Sequence, residues 1–206
     1  FKSAAEMRDA LTSVARKTGV LMRPGSSASS IKTDGIKPLW KFKCEDEIRG
    51  TPAISDGSLY VGSYDNNLYS LDASDGKFQW KYPTEGGIVS CPAIVDGNVF
   101  VGSEDKSLHV ISARSGKVVW TYYTEAPIRS SPRIADGHVF IGSDDGYLHA
   151  VNVNSGRMVW RFESADAVRS TPFVLDGMVY FGCEAGDYYA VNFGGDLKWR
   201  FRAKRS

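Results

Sequence analysis

The sequence is short of cysteine, of charge of one sign and of long apolar runs, and each shortage closes off a class of function. Its three cysteines, Cys44, Cys91 and Cys183, are odd in number and show no CxxC spacing, which argues against a disulfide framework and a cysteine-held zinc site. A reducing compartment is the expectation. Lys and Arg number 25 against 24 Asp and Glu, a net charge of +1 with the signs interspersed, so no basic field exists to neutralise a run of phosphates. Nucleic acid is therefore not an expected partner. No apolar stretch reaches the about 18 residues that a membrane helix needs, and the N-terminus lacks the residue order of a secretory signal. The first residue is Phe1, so a lost upstream segment is expected.

What is present is a folded chain of 206 residues, 42% hydrophobic and 12% aromatic, written in one period. All five tryptophans, Trp40, Trp80, Trp120, Trp160 and Trp199, fall about forty residues apart. Pro52, Pro92, Pro132 and Pro172 keep that period, as do Asp-Gly pairs from Asp56, Asp96, Asp136 and Asp176. So do Gly62, Gly102, Gly142 and Gly182. Within a unit, short runs of Val, Ile, Tyr, Phe and Trp alternate with polar turns, and an Asp-Gly turn between two such runs marks a type I′ hairpin. Each unit thus predicts four antiparallel strands, and a unit of this length is the signature of a propeller blade. The fold class expected is all-β: a β-propeller of four such units, part of a larger ring, over residues 39–206. One Trp strand is surplus to a closed ring of four, and open blade edges would allow self-association.

The phrases "SDGKFQW", "RSGKVVW" and "NSGRMVW" explain the repetition. Gly76, Gly116 and Gly156 release the chain into the outer strand, whose Trp bridges to the neighbouring blade. Burial of one indole contributes about 2–3 kcal/mol, and its N–H needs an acceptor. A blade cannot cover both faces alone, so the joint recurs. With "AVNFGGDLKW", which is one residue short, these phrases resemble the tryptophan-docking motif of the pyrroloquinoline-quinone-like repeat family. That resemblance implies a propeller, and it offers two further identities. One is a periplasmic scaffold similar to the outer-membrane protein assembly lipoprotein. The other is a fragment of a quinoprotein dehydrogenase, whose adjacent cysteine pair is missing here.

Residues 1–19 are different in kind. Ser3 and Glu6 form a capping box, Met7, Ala10, Leu11 and Val14 make one apolar face, and Gly19 stands where a C-cap belongs, which predicts a single amphipathic helix. The words "FKSAAEMRDAL" resemble the last helix of the C-terminal lobe of bacterial Ser/Thr protein kinases. No Gly-rich loop, His-Arg-Asp or Asp-Phe-Gly accompanies them, so the resemblance implies a chain that follows a kinase, in the cytoplasm, and not a kinase. Residues 20–38, rich in Gly, Ser and Pro, read as a flexible linker.

Candidate site residues come from the loops that lead from each Trp strand into the next unit. Arg49, Arg129 and Arg169, with Val89 at the fourth position, would converge near the central channel, and Glu45, Glu85 and Glu125 stand four residues earlier. Either each Arg pairs with a neighbouring acid, or the arginines fork onto a small anionic ligand or a protein carboxylate. Asp65, Asp105 and Asp145 are expected to be turn formers, His109 and His149 to fill the core, and His138 to be exposed. No catalytic residue, metal or cofactor is expected. The function expected is a non-catalytic sensor or protein-interaction module.

Overall fold

The computed structural model describes residues 37–203. The helix expected over residues 3–19, and the linker as far as residue 36, lie outside them.

Sixteen strands form four separate four-stranded antiparallel sheets, each meandering in sequence order. The first blade is β1 (Ala53–Ser55), β2 (Ser58–Gly62), β3 (Asn67–Asp72) and β4 (Phe78–Pro83). The second is β5 (Ala93–Val95), β6 (Asn98–Gly102), β7 (Ser107–Ser112) and β8 (Val118–Tyr123). The third is β9 (Arg133–Ala135), β10 (His138–Gly142), β11 (Tyr147–Asn152) and β12 (Met158–Glu163). The fourth is β13 (Phe173–Leu175), β14 (Met178–Gly182), β15 (Asp187–Asn192) and β16 (Leu197–Arg202). The short first strands β1, β5, β9 and β13 are neighbours in that order, and the prolines stand immediately before each of them, where a missing N–H costs no ladder bond.

Local chemistry sets the turns. Asp56 (φ 49°) and Gly57 (φ 74°) both adopt the left-handed region, and the pairs at Asp96, Asp136 and Asp176 do the same, as a type I′ hairpin requires. Asp65, Asp105 and Asp145 turn the chain between the second and third strands, each accepting the N–H two residues on (Asn67, Ser107 and Tyr147) at 3.0–3.1 Å. Each third strand is bulged opposite its outer partner, for example between Val110 and Ile111.

The core lies between blades. Tyr60 and Leu68 of the first blade pack with Val99, Val101 and Ile111 of the second, and two further clusters join the second to the third and the third to the fourth. The tryptophans close these seams from outside. Trp80 donates its indole N–H to the Ala113 carbonyl at 2.9 Å, Trp120 to Val153 at 3.2 Å, and Trp160 to Phe193 at 2.7 Å. Their rings cover Gly116, Gly156 and Gly195, where a Cβ would stand 2.7–3.0 Å from indole carbons. The one-residue deletion in the last unit therefore leaves the dock in place.

Two expectations are corrected. Trp40 sits in its dock, over Gly76 and 3.1 Å from the Ala73 carbonyl, but residues 39–43 form no strand because no partner strand lies beside them among the described residues. His138 is half-buried, because its ring stacks on Phe140 at 5.7 Å and leans on Phe193.

Candidate functional site

The loops that link one blade to the next, and the turns between second and third strands, share one face of the propeller. Backbone bonds pin them together: Glu45, Glu85 and Glu125 donate their N–H groups to the carboxylates of Asp65, Asp105 and Asp145 at 3.0–3.2 Å. In the last unit Ala185 replaces the Asp, and the Tyr189 hydroxyl accepts the Ala165 N–H instead. The turn acids are thus structural, while the Glu45, Glu85 and Glu125 side chains remain exposed.

The arginines of this face are paired. Arg129 donates from Nε to Glu104 at 2.8 Å and from its terminal nitrogen to Asp144. Arg169 holds the same Asp144 through Nε at 2.8 Å and a terminal nitrogen at 3.1 Å, and approaches Glu184 at 3.9 Å. Arg49 stands apart on Glu47 at 2.8 Å, with its guanidinium over the Tyr64 ring. Tyr64 replaces an acid at this turn position, and its hydroxyl reaches Glu104 at 3.3 Å. The result is a ladder from Arg49 through Tyr64, Glu104, Arg129 and Asp144 to Arg169. Hydrogen bonding to Glu104, reinforced by the Asp144 charge, raises the Arg129 guanidinium above its ordinary value. Of the two readings of these arginines, pairing with acids describes the geometry: Arg129 and Arg169 each give two guanidinium nitrogens to carboxylates. Val89, where an Arg is missing, is the gap that Tyr64 spans.

A family model described as the outer membrane protein assembly factor BamB matches residues 27–135 and 125–206. The chain belongs to that family. Among solved structures, BamB from Moraxella catarrhalis is 25% identical with a TM-score of 0.69, over 79% of this chain and 52% of that one. The chain therefore spans about half the length of that BamB. The computationally designed Ika4 protein shares 16% identity at a TM-score of 0.70, over 77% of this chain and 99% of the design. The quinohemoprotein alcohol dehydrogenase ADHIIG from Pseudomonas putida HK5 shares 21% identity at a TM-score of 0.68, over 79% of this chain and 35% of the enzyme. At these identities the last two show the fold alone. No curated protein matches the chain.

This BamB-family propeller also carries a polar relay that its sequence announces only indirectly. His149, 1% exposed, meets Asp145 through Nε2 at 3.1 Å and the Tyr122 hydroxyl of the preceding blade through Nδ1 at 2.9 Å. His109 repeats this with Asp105 at 2.9 Å and Tyr82 at 3.1 Å. An ionised carboxylate only accepts, so Nε2 carries the donated proton in both. Where the strand position holds Tyr69 or Tyr189 instead of His, the arm before the first blade offers Phe42 and the third blade offers Phe162 instead of Tyr. This pairing of columns 27 residues apart is visible in the sequence once the units are aligned. Burial pushes Asp105 and Asp145 upward, but the histidine and backbone hydrogen bonds outweigh it and hold both carboxyls below their ordinary value. The two histidines lie apart in different seams, and among the described residues no three His, Cys, Asp or Glu side chains converge as metal ligands.

The ladder makes one prediction. Arg129→Ala leaves Glu104 with only the Tyr64 hydroxyl and halves the charge compensation of Asp144, whose side chain is 11% exposed. A loss of about 1–3 kcal/mol in the urea unfolding free energy is expected. Arg49→Ala, at an exposed pair, is expected to leave the urea midpoint unchanged within error.

Proposed function

We propose that the chain is a non-catalytic protein-binding module whose partner presents basic side chains to the loop face. The carrying observation is that Arg129 and Arg169 are held by acids of this face, while the Glu45 and Glu85 side chains are exposed with no ion pair among the described residues and Glu125, met by Arg161 at 3.3 Å, is still 76% exposed. Asp46 and Asp166 are exposed on the same loops, so the open charge of these loops is negative. Such a face steers a Lys- or Arg-rich segment and rejects an acidic one. Membership of a family described by an outer-membrane assembly factor supports the reading of a binding scaffold.

We further propose that the module follows a bacterial Ser/Thr kinase and works in the cytoplasm. The likeness of residues 1–11 to the kinase C-lobe supports this, and the BamB-family match, which begins at residue 27, leaves that segment outside the repeat family. The gene upstream of Phe1 is the test. Kinase motifs in a continuous frame support it, and an export signal would move the module to the periplasm.

For the binding face, the probe is a fluorescent Lys/Arg-rich peptide titrated at low and high salt. Binding that weakens with salt, and falls by about tenfold or more in a Glu45→Lys, Glu85→Lys, Glu125→Lys triple variant of unchanged stability, is expected. Affinity indifferent to both salt and the triple change would sink the proposal.

A further inference from the structure

Each internal seam uses one knob and one socket. Ile88, Ile128 and Val168, all 0% exposed, fill the space above Gly62, Gly102 and Gly142, where a Cβ would collide with them. Their N–H groups donate to the carbonyls of Ser63, Ser103 and Ser143 at 2.9–3.0 Å. Among the described residues nothing fills the fourth socket. At Gly182 a Cβ would meet only Tyr188 at 3.3 Å as its nearest contact, and a cavity of about 410 Å³ opens there, lined by Cys183, Asp187, Tyr188 and Phe201. The fourth knob is unplugged at the other end of the arc: Ile48, the equivalent of Ile88, is 48% exposed.

The remaining contacts of a seam are also present in halves. Tyr188 is 43% exposed where Leu68, Leu108 and Leu148 are fully buried, and Trp199 is 44% exposed with no glycine to cover. Arg129 and Arg169 reach Glu104 and Asp144, each 25 residues back, and by the same step Arg49 of a second copy falls on Glu184. Thr51 and Cys91 donate their N–H groups to the side chains of Cys91 and Ser131, so Thr171 would find the hydroxyl of a second Thr51. One chain displays both halves of its own joint.

We propose that two copies close head to tail into a single ring of blades, four from each, with the β16 face of one copy on the first blade of the other. The words Trp199-Arg200-Phe201 and Trp40-Lys41-Phe42 then compete for one seat, over Gly76, the Ala73 carbonyl and the Tyr69 ring. β16 is laddered to β15 from Asp187↔Arg202 to Val191↔Leu197, whereas residues 39–43 have no ladder, so the arm yields and Trp199 takes its place in the partner. A head-to-tail contact is finite only if the rotation closes. The four blades align with 52% of BamB, so two arcs supply a blade set of that length.

The test is sedimentation equilibrium of the 206-residue chain over a wide concentration range. A species of twice 22.6 kDa, about 45 kDa, is expected. Gly182→Val fills a socket that no described residue of one copy occupies, and Ile48→Asp ruins the knob. Each is expected to weaken dimerisation at least about tenfold without lowering the monomer's urea midpoint. Trp40→Ala loosens the competing arm and should tighten the dimer. A native chain that stays monomeric, an open-ended series of oligomers, or a dimer indifferent to Gly182→Val would each overturn the proposal.

Discussion

Trp120→Ala is expected to lower the unfolding free energy by about 3–5 kcal/mol, among the largest effects of any single truncation in the propeller. The indole closes the seam between the second and third blades: it covers Gly156, donates to Val153, meets Phe100 edge-on at 6.0 Å and packs on the cluster that includes Ile134 and Val153. Removal opens a cavity, orphans the Val153 carbonyl and cuts the contact that couples two pairs of blades. Because each blade touches only its neighbours, a break at the middle seam should also reduce cooperativity, seen as a lower urea m-value. Trp199→Ala is the control, since that indole is 44% exposed and covers no glycine. In a Gly182→Val background, chosen to weaken the proposed assembly, it should cost less than about 1.5 kcal/mol. Equal losses at Trp120 and Trp199 would mean that the indoles stabilise through their own strands and not through the seams.

The parts of the fold that were legible in the sequence are those in which one residue type performs one task at a fixed interval. Asp56-Gly57 and its repeats announce hairpins because only such pairs tolerate two left-handed residues in succession. Gly76, Gly116 and Gly156 are spaced to their tryptophans because an indole lies where a Cβ would be. The arginine ladder was half legible. The count from each Trp located Arg49, Arg129 and Arg169, but their partners Glu104 and Asp144 belong to turns 25 residues earlier and are brought to them only by blade stacking. The convergence expected of all three arginines is met by Arg129 and Arg169 around Asp144, while Arg49, one blade further away across Val89, turns to Glu47 and Tyr64. His109 and His149 were placed in the core correctly, yet their roles escaped because a His among apolar strand residues looks like filler until Tyr82 and Tyr122 are aligned against it. Relations between columns of the repeat, more than the columns themselves, carry that information.

The second large effect is expected at Asp145. Its side chain is 4% exposed, and it accepts from the backbone N–H groups of Glu125 and Tyr147 and from His149 Nε2. Asp145→Ala leaves three donors without their acceptor in one seam, two of them backbone and one an imidazole that is 1% exposed. A cost of about 3–5 kcal/mol is expected. Asp145→Asn keeps an acceptor oxygen for part of this set and should cost less. The two variants also differ from the native chain in their response to acid. The folded carboxyls of Asp65, Asp105 and Asp145 lie below their ordinary value, so each contributes stability that is fully present above the unfolded value and is lost as pH falls through the folded one. The native urea midpoint should therefore hold from neutrality down to about pH 4 as far as these groups are concerned, and fall below it. In Asp145→Asn one of these contributions is gone at every pH, so the decline below about pH 4 should be shallower and the native and variant curves should converge in acid. Parallel curves would show that the Asp145 carboxyl has the same affinity for protons folded and unfolded, and that the seam is held by packing without its charge.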